Sequence, residues 1–155
     1  MRLVALLAVL AISSGCNRGG EERGVLLLRY AEGSESTEQR ERGFLDTMAE
    51  EFPEIAIISQ EGYAGATQNT ALIKSQDLLN KYGPRLDGIF ACNESSSAGM
   101  LAALEQVDLA GKVQFVGFDT SSRLISAMEE GKLHGLVLQD PVNMASLAVK
   151  TMVDH

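Results

Sequence analysis

The chain has 155 residues, of which 45% are hydrophobic and 22% are charged. This length suits one domain of ordinary size and excludes a second large domain, and the composition excludes wholesale disorder. The net charge of -8 argues against nucleic-acid binding, because an acidic protein repels a phosphate backbone. The 2 cysteines and 2 histidines are too few for a disulfide framework or a typical structural zinc site.

Residues 1–15 have the pattern of an export signal. Arg2 is followed by a continuous apolar run over residues 3–12, and the small residues at 13–15 suit a cleavage site. The apolar run is about half as long as a helix that crosses a bilayer of ~30 Å, so a permanent membrane span is the weaker interpretation. We therefore expect residues 1–15 to act as a signal peptide.

The segment that ends at Cys16 resembles a bacterial lipobox, in which the cysteine becomes the first residue of the mature protein and carries a diacylglycerol. Ser13 departs from the branched aliphatic residue that a lipobox usually has at that position. Lipidation of Cys16 is the leading interpretation, and ordinary cleavage beside an unmodified Cys16 is the alternative. Residues 16–23 are polar and contain glycine, which is typical of a tether between a lipid anchor and a folded domain.

From Gly24 onward, short apolar runs alternate with longer segments of helical period. This alternation predicts an α/β fold with a parallel sheet of about five strands and helices on both faces. Most of the runs are uninterrupted, as expected for strands that are covered on both sides. The predicted strands are residues 25–30, 55–59, 88–92, 113–118 and 135–138.

Four amphipathic helices are predicted between the strands, and a fifth helix is predicted after the last strand, over residues 142–153. The apolar positions of the first four are Phe44, Leu45, Met48 and Phe52; Ala71, Leu72, Leu78, Leu79 and Tyr82; Ala98, Leu101, Ala102 and Leu104; and Leu124, Ile125 and Met128. Two helix starts carry capping signals. Ser36 with Gln39 is a candidate capping box, and Asp140 is a candidate cap before Pro141.

The sequence lacks a phosphate-binding loop and the motifs GxGxxG and GxSxG, which weakens nucleotide-binding and hydrolase interpretations. In open α/β sheets, ligands bind beyond the carboxyl ends of the strands, so His134 at the start of a strand is a poor catalytic candidate. The carboxyl ends carry Asn93, Asp119 and Gln139, which suit a neutral polyhydroxylated ligand. For Asn93 and Asp119, the alternative is a helix cap or a turn former.

Four segments in order resemble the second half of a ribose-type periplasmic sugar-binding protein, the substrate-binding lipoprotein of an ABC transporter. They are GSESTEQRERGF at 33–44, IFACNE at 89–94, VGFD at 116–119 and GKLHG at 131–135. The resemblance implies that residues 24–139 form one periplasmic-binding-protein-like lobe with a flavodoxin- or Rossmann-like fold. It also implies a binding protein rather than an enzyme, with no cofactor or metal.

The resemblance further implies the partners and the location of the protein. A protein of this family binds a monosaccharide-like small molecule and delivers it to an ABC permease. With a lipidated Cys16, this chain would be exported and would lie on the periplasmic or cell-surface face of a bacterial membrane, held there by its lipid anchor.

By position, the resemblance assigns ligand contacts to four side chains: Arg40, Asn93, Asp119 and Gln139. Arg40 matches the arginine of an RxxGF element that grips sugar oxygens, and an ion pair with Glu38 or Glu41 on the helix surface is the alternative. The family usually packs an aromatic ring against the sugar. Ala66 stands near the position of that ring, and Tyr63 is a nearby substitute.

Such proteins consist of two similar lobes around a cleft, and this chain resembles only the second lobe. The helix within residues 140–155 would normally pack on the first lobe, so we expect its apolar side chains to lack that partner. The leading hypothesis is therefore a solute-binding lipoprotein, or a truncated remnant of one.

Two functions of other classes stay open. The first is a small flavodoxin-like enzyme or phosphoacceptor domain with Asp119 as the active carboxylate. It is weakened because Tyr30 and Ala31 stand where a phosphoacceptor has an acidic pair. The second is a regulatory lobe that binds a partner protein through its exposed cleft face.

Overall fold

The computed structural model describes residues 23–153. The signal peptide over 1–15, the lipidation of Cys16 and the tether over 16–23, apart from Arg23, therefore lie outside the described residues. The elements in chain order are β1 (Gly24–Arg29), α1 (Glu35–Glu51), β2 (Ala56–Tyr63), α2 (Gln68–Tyr82), a 3-10 turn (Gly83–Arg85), β3 (Leu86–Ala91), α3 (Glu94–Gln106), β4 (Gln114–Phe118), α4 (Ser122–Glu129), β5 (Gly135–Val137) and α5 (Pro141–Val153). All neighbouring strands pair in parallel, in the order β2-β1-β3-β4-β5. The predicted α/β fold with a parallel sheet is confirmed.

The predicted strand ends differ most from the structure at β2, which extends to Tyr63 rather than to Ser59. This strand lies at one edge of the sheet, and its residues Gln60 and Glu61 are exposed to solvent. A strand at the edge of a sheet is less covered than a central one and can carry polar side chains, so its apolar run ends before the strand does.

The main core fills the space between one face of the sheet and the helices α2, α3 and α4. On the strands, it is formed by alternate residues, as the two-residue period of a strand requires: Leu26, Leu28, Ile89, Ala91 and Phe115. Gly99 lets α3 approach α2 closely, because a Cβ atom at this position would lie 2.5 Å from the Cβ of Ala71. The core therefore depends on a helix contact that only glycine permits.

The opposite face of the sheet is covered by α1 over β1 and β3. Phe44 of α1 stacks on Phe90 of β3 with ring centroids 5.0 Å apart, and Leu27 lies fully buried on β1. Further along, this face is partly open to solvent, and Val116 of β4 and Val137 of β5 are 36% and 42% exposed. The prediction of helices on both faces is confirmed, with one face covered less completely than the other.

One of the two capping predictions is wrong. Helix α1 begins at Glu35, and its first turn is closed by the backbone carbonyl of Ser34, which accepts hydrogen bonds from the amides of Thr37 and Glu38. Ser36 is therefore inside the helix and does not cap it. The other prediction is confirmed, since Asp140 Oδ1 accepts a hydrogen bond of 3.0 Å from the amide of Asn143 at the start of α5.

Helix α5 has no buried residue, and its Val142 and Leu147 are 77% and 66% exposed. A helix with so much apolar surface is normally covered. Within residues 23–153, no helix combines the length and the apolar composition that are needed to cross a bilayer.

Candidate functional site

The four predicted site residues lie at the carboxyl edge of the sheet. Asn93 and Asp119 come two residues and one residue after β3 and β4, Gln139 comes shortly after β5, and Arg40 lies in the second turn of α1, which follows β1. Parallel strands end at the same edge, so the topology brings the four side chains to one side of the lobe.

Arg40 contacts the carboxyl ends of two neighbouring strands, β3 and β4. Its Nη1 donates a hydrogen bond of 3.0 Å to the carbonyl oxygen of Cys92, and its Cζ lies 3.9 Å from the ring centroid of Phe118. A guanidinium has five N–H donors, and this hydrogen bond uses one of them. Arg40 therefore keeps donors for a ligand while its plane is held by protein groups.

The alternative interpretation of Arg40, an ion pair with a neighbouring glutamate, is wrong for the described residues. Glu38 instead accepts a hydrogen bond of 2.9 Å from the amide of Gly33, and Glu41 points into the protein, where it pairs with Arg29. Adjacent residues on a helix face directions about 100° apart, so Arg40 and Glu41 point to different surroundings.

Asn93 is the N-cap of α3. Its Oδ1 accepts a hydrogen bond of 3.3 Å from the amide of Ser96, and its Nδ2 donates one of 3.0 Å to Ser95 Oγ. The capping role that was the alternative for Asn93 is thus present. The second N–H of the Nδ2 group is the donor that stays available to a ligand.

Asp119 and Gln139 form a pair. Gln139 Nε2 donates a hydrogen bond of 2.7 Å to Asp119 Oδ1, and the amide of Asp119 donates one of 2.9 Å to the carbonyl of Val137. The backbone of Asp119 is left-handed, with a φ of 64°. A non-glycine residue adopts this conformation at an energetic cost, which often marks a functional turn.

Ser97 supports this edge and was missed by the sequence analysis. Its Oγ donates a hydrogen bond of 2.8 Å to the carbonyl of Asn93 and accepts one of 2.9 Å from the amide of Phe118. The approach requires Gly117, where a Cβ would lie 2.9 Å from Ser97 Oγ. The only sequence signals are the serine run after Asn93 and the glycine of the VGFD segment, and neither reveals the contact alone.

A buried polar cluster lies under the site, and it was also missed. Glu41 is 2% exposed; its Oε2 accepts a hydrogen bond of 2.7 Å from Arg29 Nε, and its Oε1 accepts from the amide of Tyr30 at 3.2 Å and from Cys92 Sγ at 3.4 Å. The hydrogen bond that Arg29 donates to Glu41 raises the pKa of Arg29. Burial, and after it the charge of Glu41, raises the pKa of the Cys92 thiol to about 12.

The cluster could have been found from the helical spacing. Glu41 lies three residues before Phe44 and seven before Met48, so it falls on the apolar stripe of α1. A charged residue on such a stripe predicts a buried charge with a partner. Arg29 is the cation of the first strand and lies at its end, so it is the candidate partner for that buried charge.

Tyr63 does not lie beside the four site residues. It stands at the end of β2, with the guanidinium carbon of Arg29 4.4 Å from its ring centroid. It lines a recess of about 500 Å³ between β2 and α2, together with Ile73 and Asp77, and none of the four site residues lines that recess. Ala66 is exposed in the loop before α2.

The side chains at this edge are hydrogen-bonding groups. The edge presents the donors of Arg40 and Gln139 beside the carboxylate of Asp119, which matches the alternating donors and acceptors of sugar hydroxyl groups. The Cys92 thiol is buried and protonated, so it is not a nucleophile. In the described part of the chain, no three His, Cys, Asp or Glu residues are grouped as ligands for a metal ion.

Comparison with known proteins identifies one family and relatives that bind small molecules. The family described as a periplasmic binding protein domain matches residues 6–155. Among curated proteins, the xylitol-binding protein of Mycolicibacterium smegmatis is 26% identical over 124 residues, which are 80% of this chain and 35% of that protein.

Two solved structures extend the comparison. The periplasmic component of an ABC-type sugar transport system from Hahella chejuensis is 39% identical, with a TM-score of 0.78 over 86% of this chain and 48% of that one. A carbohydrate transporter solute binding protein from Agrobacterium radiobacter, solved with D-arabinose, is 31% identical, with a TM-score of 0.77 over 85% of this chain and 44% of that one. The chain thus spans less than half the length of each of these three proteins.

Proposed function

The chain belongs to the periplasmic binding protein family, and we propose that residues 24–139 are the second of two lobes that bind a sugar for an ABC-type importer. The observation that carries this proposal is the meeting of Arg40, Asn93, Asp119 and Gln139 at one edge of the sheet. The proposed activity is binding, and it involves no catalytic step.

The ligand class follows from the site. Arg40 offers N–H donors in a fixed fork, Asp119 offers an ionised acceptor, and Gln139 offers both kinds of group. Neutral molecules with several adjacent hydroxyl groups satisfy this set without a change in charge. The similarity to proteins named for xylitol and solved with D-arabinose supports a polyol or a monosaccharide as the ligand class.

The mechanism needs a second lobe. A ligand normally buries 70–90% of its surface in its site, and one sheet edge covers only one side of a small sugar. Closure of a facing lobe about a hinge completes the cleft, and the closed, loaded form is the species that a permease recognises.

Helix α5 is the element that joins this lobe to the other one. Its exposed apolar residues, among them Val142 and Leu147, form a surface that is suited to packing on the facing lobe. In this proposal, residues 140–155 leave the sheet at Gln139 and contribute to the neighbouring body.

Membership of this family implies export to the periplasm. For the finer location, we propose that residues 1–15 are removed as a signal peptide and that Cys16 carries a diacylglycerol anchor. Growth of an expressing bacterium with labelled palmitate tests this, because the label should enter the wild-type protein and be absent from Cys16→Ser. Equal labelling of both, or a mature protein that starts at another residue, contradicts the anchor.

The ligand proposal is tested by titrating the ¹⁵N-labelled chain with D-arabinose and with xylitol, a ring sugar and an open-chain polyol. We expect shifts of the amides at the carboxyl edge, with a Kd of roughly 1 mM or weaker, because only one side of the ligand is covered. Asp119→Asn should weaken the response, because the charged acceptor is lost.

The matched control is Asp87→Asn. Asp87 pairs with Arg23 at 2.6 Å near the amino end of the sheet, so the same change there should leave the titration unaltered. Shifts that are absent with both ligands, or equal losses in the two variants, would overturn the proposed site.

A further inference from the structure

We propose that Glu41 is the positioning residue of this site: its buried carboxylate fixes α1 against the ends of β1 and β3 and thereby holds Arg40 in place. The inference deepens the proposed sugar site and rests on it for the role of Arg40. It assigns a task to the one buried carboxylate of the described residues.

The first observation is the connectivity of the Glu41 carboxylate. Its two oxygens accept hydrogen bonds from Arg29 Nε at 2.7 Å, from the amide of Tyr30 at 3.2 Å and from Cys92 Sγ at 3.4 Å. Two of these donors lie at the end of β1 and the third follows β3. One side chain of α1 is therefore tied to two adjacent strands at the edge where ligands bind.

The second observation is that Cys92 is held from two sides. Its thiol donates to Glu41 Oε1, and its carbonyl oxygen accepts a hydrogen bond of 3.0 Å from Arg40 Nη1. The same residue thus receives one contact from each of two adjacent residues of α1. Movement of Glu41 away from Cys92 would rotate α1 and withdraw Arg40 from that carbonyl and from the Phe118 ring.

The third observation is the energetic cost of the arrangement. The Glu41 carboxylate is 2% exposed and therefore loses most of its hydration. Apolar side chains of similar volume often stabilise a protein as well as a buried ion pair does. The apolar stripe of α1 would therefore tolerate a leucine here if packing were the only requirement. Orientation of α1 about its axis is a property that hydrogen bonds specify and a leucine does not.

A purely structural ion pair makes different predictions from a positioning residue. Loss of a structural pair lowers the free energy of unfolding and leaves the native geometry of Arg40 unchanged. Loss of a positioning residue also releases the Arg40 side chain in the protein that remains folded. The order of the Arg40 Nε–H bond, measured by ¹⁵N relaxation, separates the two.

The test uses Glu41→Gln in the full chain, because glutamine keeps the shape and removes the charge. We expect the order parameter of Arg40 Nε–H to fall to the flexible range, below about 0.6, and the pKa of Cys92 to fall from about 12. Asp87→Asn breaks the exposed pair with Arg23 by the same chemical change, and it should alter neither readout.

An unchanged Arg40 signal in folded Glu41→Gln would overturn the proposal. If that variant does not fold, Glu41→Asp keeps the charge with a shorter reach, and it should show partial loss of Arg40 order. Failure of both variants to fold would assign Glu41 to stability alone and would also overturn the proposal.

A titration with D-arabinose keeps the two proposals distinguishable. If the wild type responds, Glu41→Gln should weaken the response about tenfold, the lower end of the loss that follows removal of a group that orients a metal ligand. If the wild type does not respond while Arg40 still loses order in the variant, the sugar proposal fails and the positioning of Arg40 by Glu41 stands.

Discussion

Gln139 holds Asp119 by a hydrogen bond of 2.7 Å between its Nε2 and the carboxylate Oδ1. The two residues follow neighbouring strands, and the bond fixes the direction of one carboxylate oxygen while the other stays available. Because Asp119 is half-buried and Gln139 is exposed, this bond contributes little to stability. Its effect is on the orientation of an acceptor at the proposed site.

We expect Gln139→Ala to weaken the response to D-arabinose several-fold while changing the free energy of unfolding by less than about 0.5 kcal/mol. The measurements are amide-shift titration and urea denaturation. Gln106→Ala is the control, because Gln106 accepts a hydrogen bond of 2.6 Å from Gln76 at a distance from the site. A variant Gln139→Ala that loses stability but binds normally would contradict the assignment.

The Cys92 thiol should make the stability of the protein fall at alkaline pH. Its pKa is about 12 in the folded chain and 9.0 in the reference state, so unfolding above pH 9 releases a proton. The free energy of unfolding should therefore decrease between about pH 9 and pH 12, by up to about 1.4 kcal/mol per pH unit. Urea denaturation at several pH values measures this slope.

Cys92→Ser is the comparison, since serine still offers a hydroxyl donor to Glu41 and does not ionise in this range. Its stability should fall less steeply with pH than that of the wild type. Parallel curves for the two proteins would show that the thiol is not the group responsible.

Gly99→Ala should destabilise the protein by about 1–3 kcal/mol, because the added methyl group would meet Ala71 Cβ at 2.5 Å and the amide nitrogen of Leu72 at 2.7 Å. Gly43→Ala makes the same change in α1, where no atom lies within 4 Å of the new Cβ. It should stabilise the protein by about 0.5–1 kcal/mol through helix propensity. Urea denaturation compares the two, and effects of the same sign would contradict the close packing of α2 and α3.

The amides of α5 should exchange with solvent much faster than those of α3. Both helices have 13 residues, but α3 has eight buried residues and α5 has none. A helix of this length without tertiary contacts is only marginally stable in water. Hydrogen exchange measured by mass spectrometry tests this, and equal protection at all protein concentrations would mean that α5 packs on its own lobe.

The sequence was sufficient to predict the order of the elements and the parallel sheet, because the buried strands are uninterrupted apolar runs. It was insufficient at the edge of the sheet, where Gln60 and Glu61 belong to β2 although they are polar. The cap of α1 was also missed, because the backbone of Ser34 provides it and a side-chain motif cannot reveal a backbone contact.

The placement of the four candidate residues at one edge of the sheet was predictable, but their contacts were not. Asn93 and Asp119 were recognisable because they follow strands, and Arg40 was recognisable from a family motif. The bond between Ser97 and the amide of Phe118 depends on two segments that approach each other through Gly117, which local patterns do not encode. The burial of Glu41 is encoded in the apolar spacing of α1, because Glu41 lies three residues before Phe44.

The exposed apolar surface of α5 also has a consequence for the self-association of this protein. At neutral pH the net charge of -8 keeps the molecules apart, although each one exposes residues such as Val142 and Leu147. As the pH falls toward 4.7 the net charge vanishes, and at an ionic strength of ~0.1 M any remaining repulsion already acts over only about 10 Å. The helix that is suited to packing on a neighbouring lobe is therefore also a surface for self-association. We expect the molecules to stay dispersed at neutral pH and to associate near the isoelectric point.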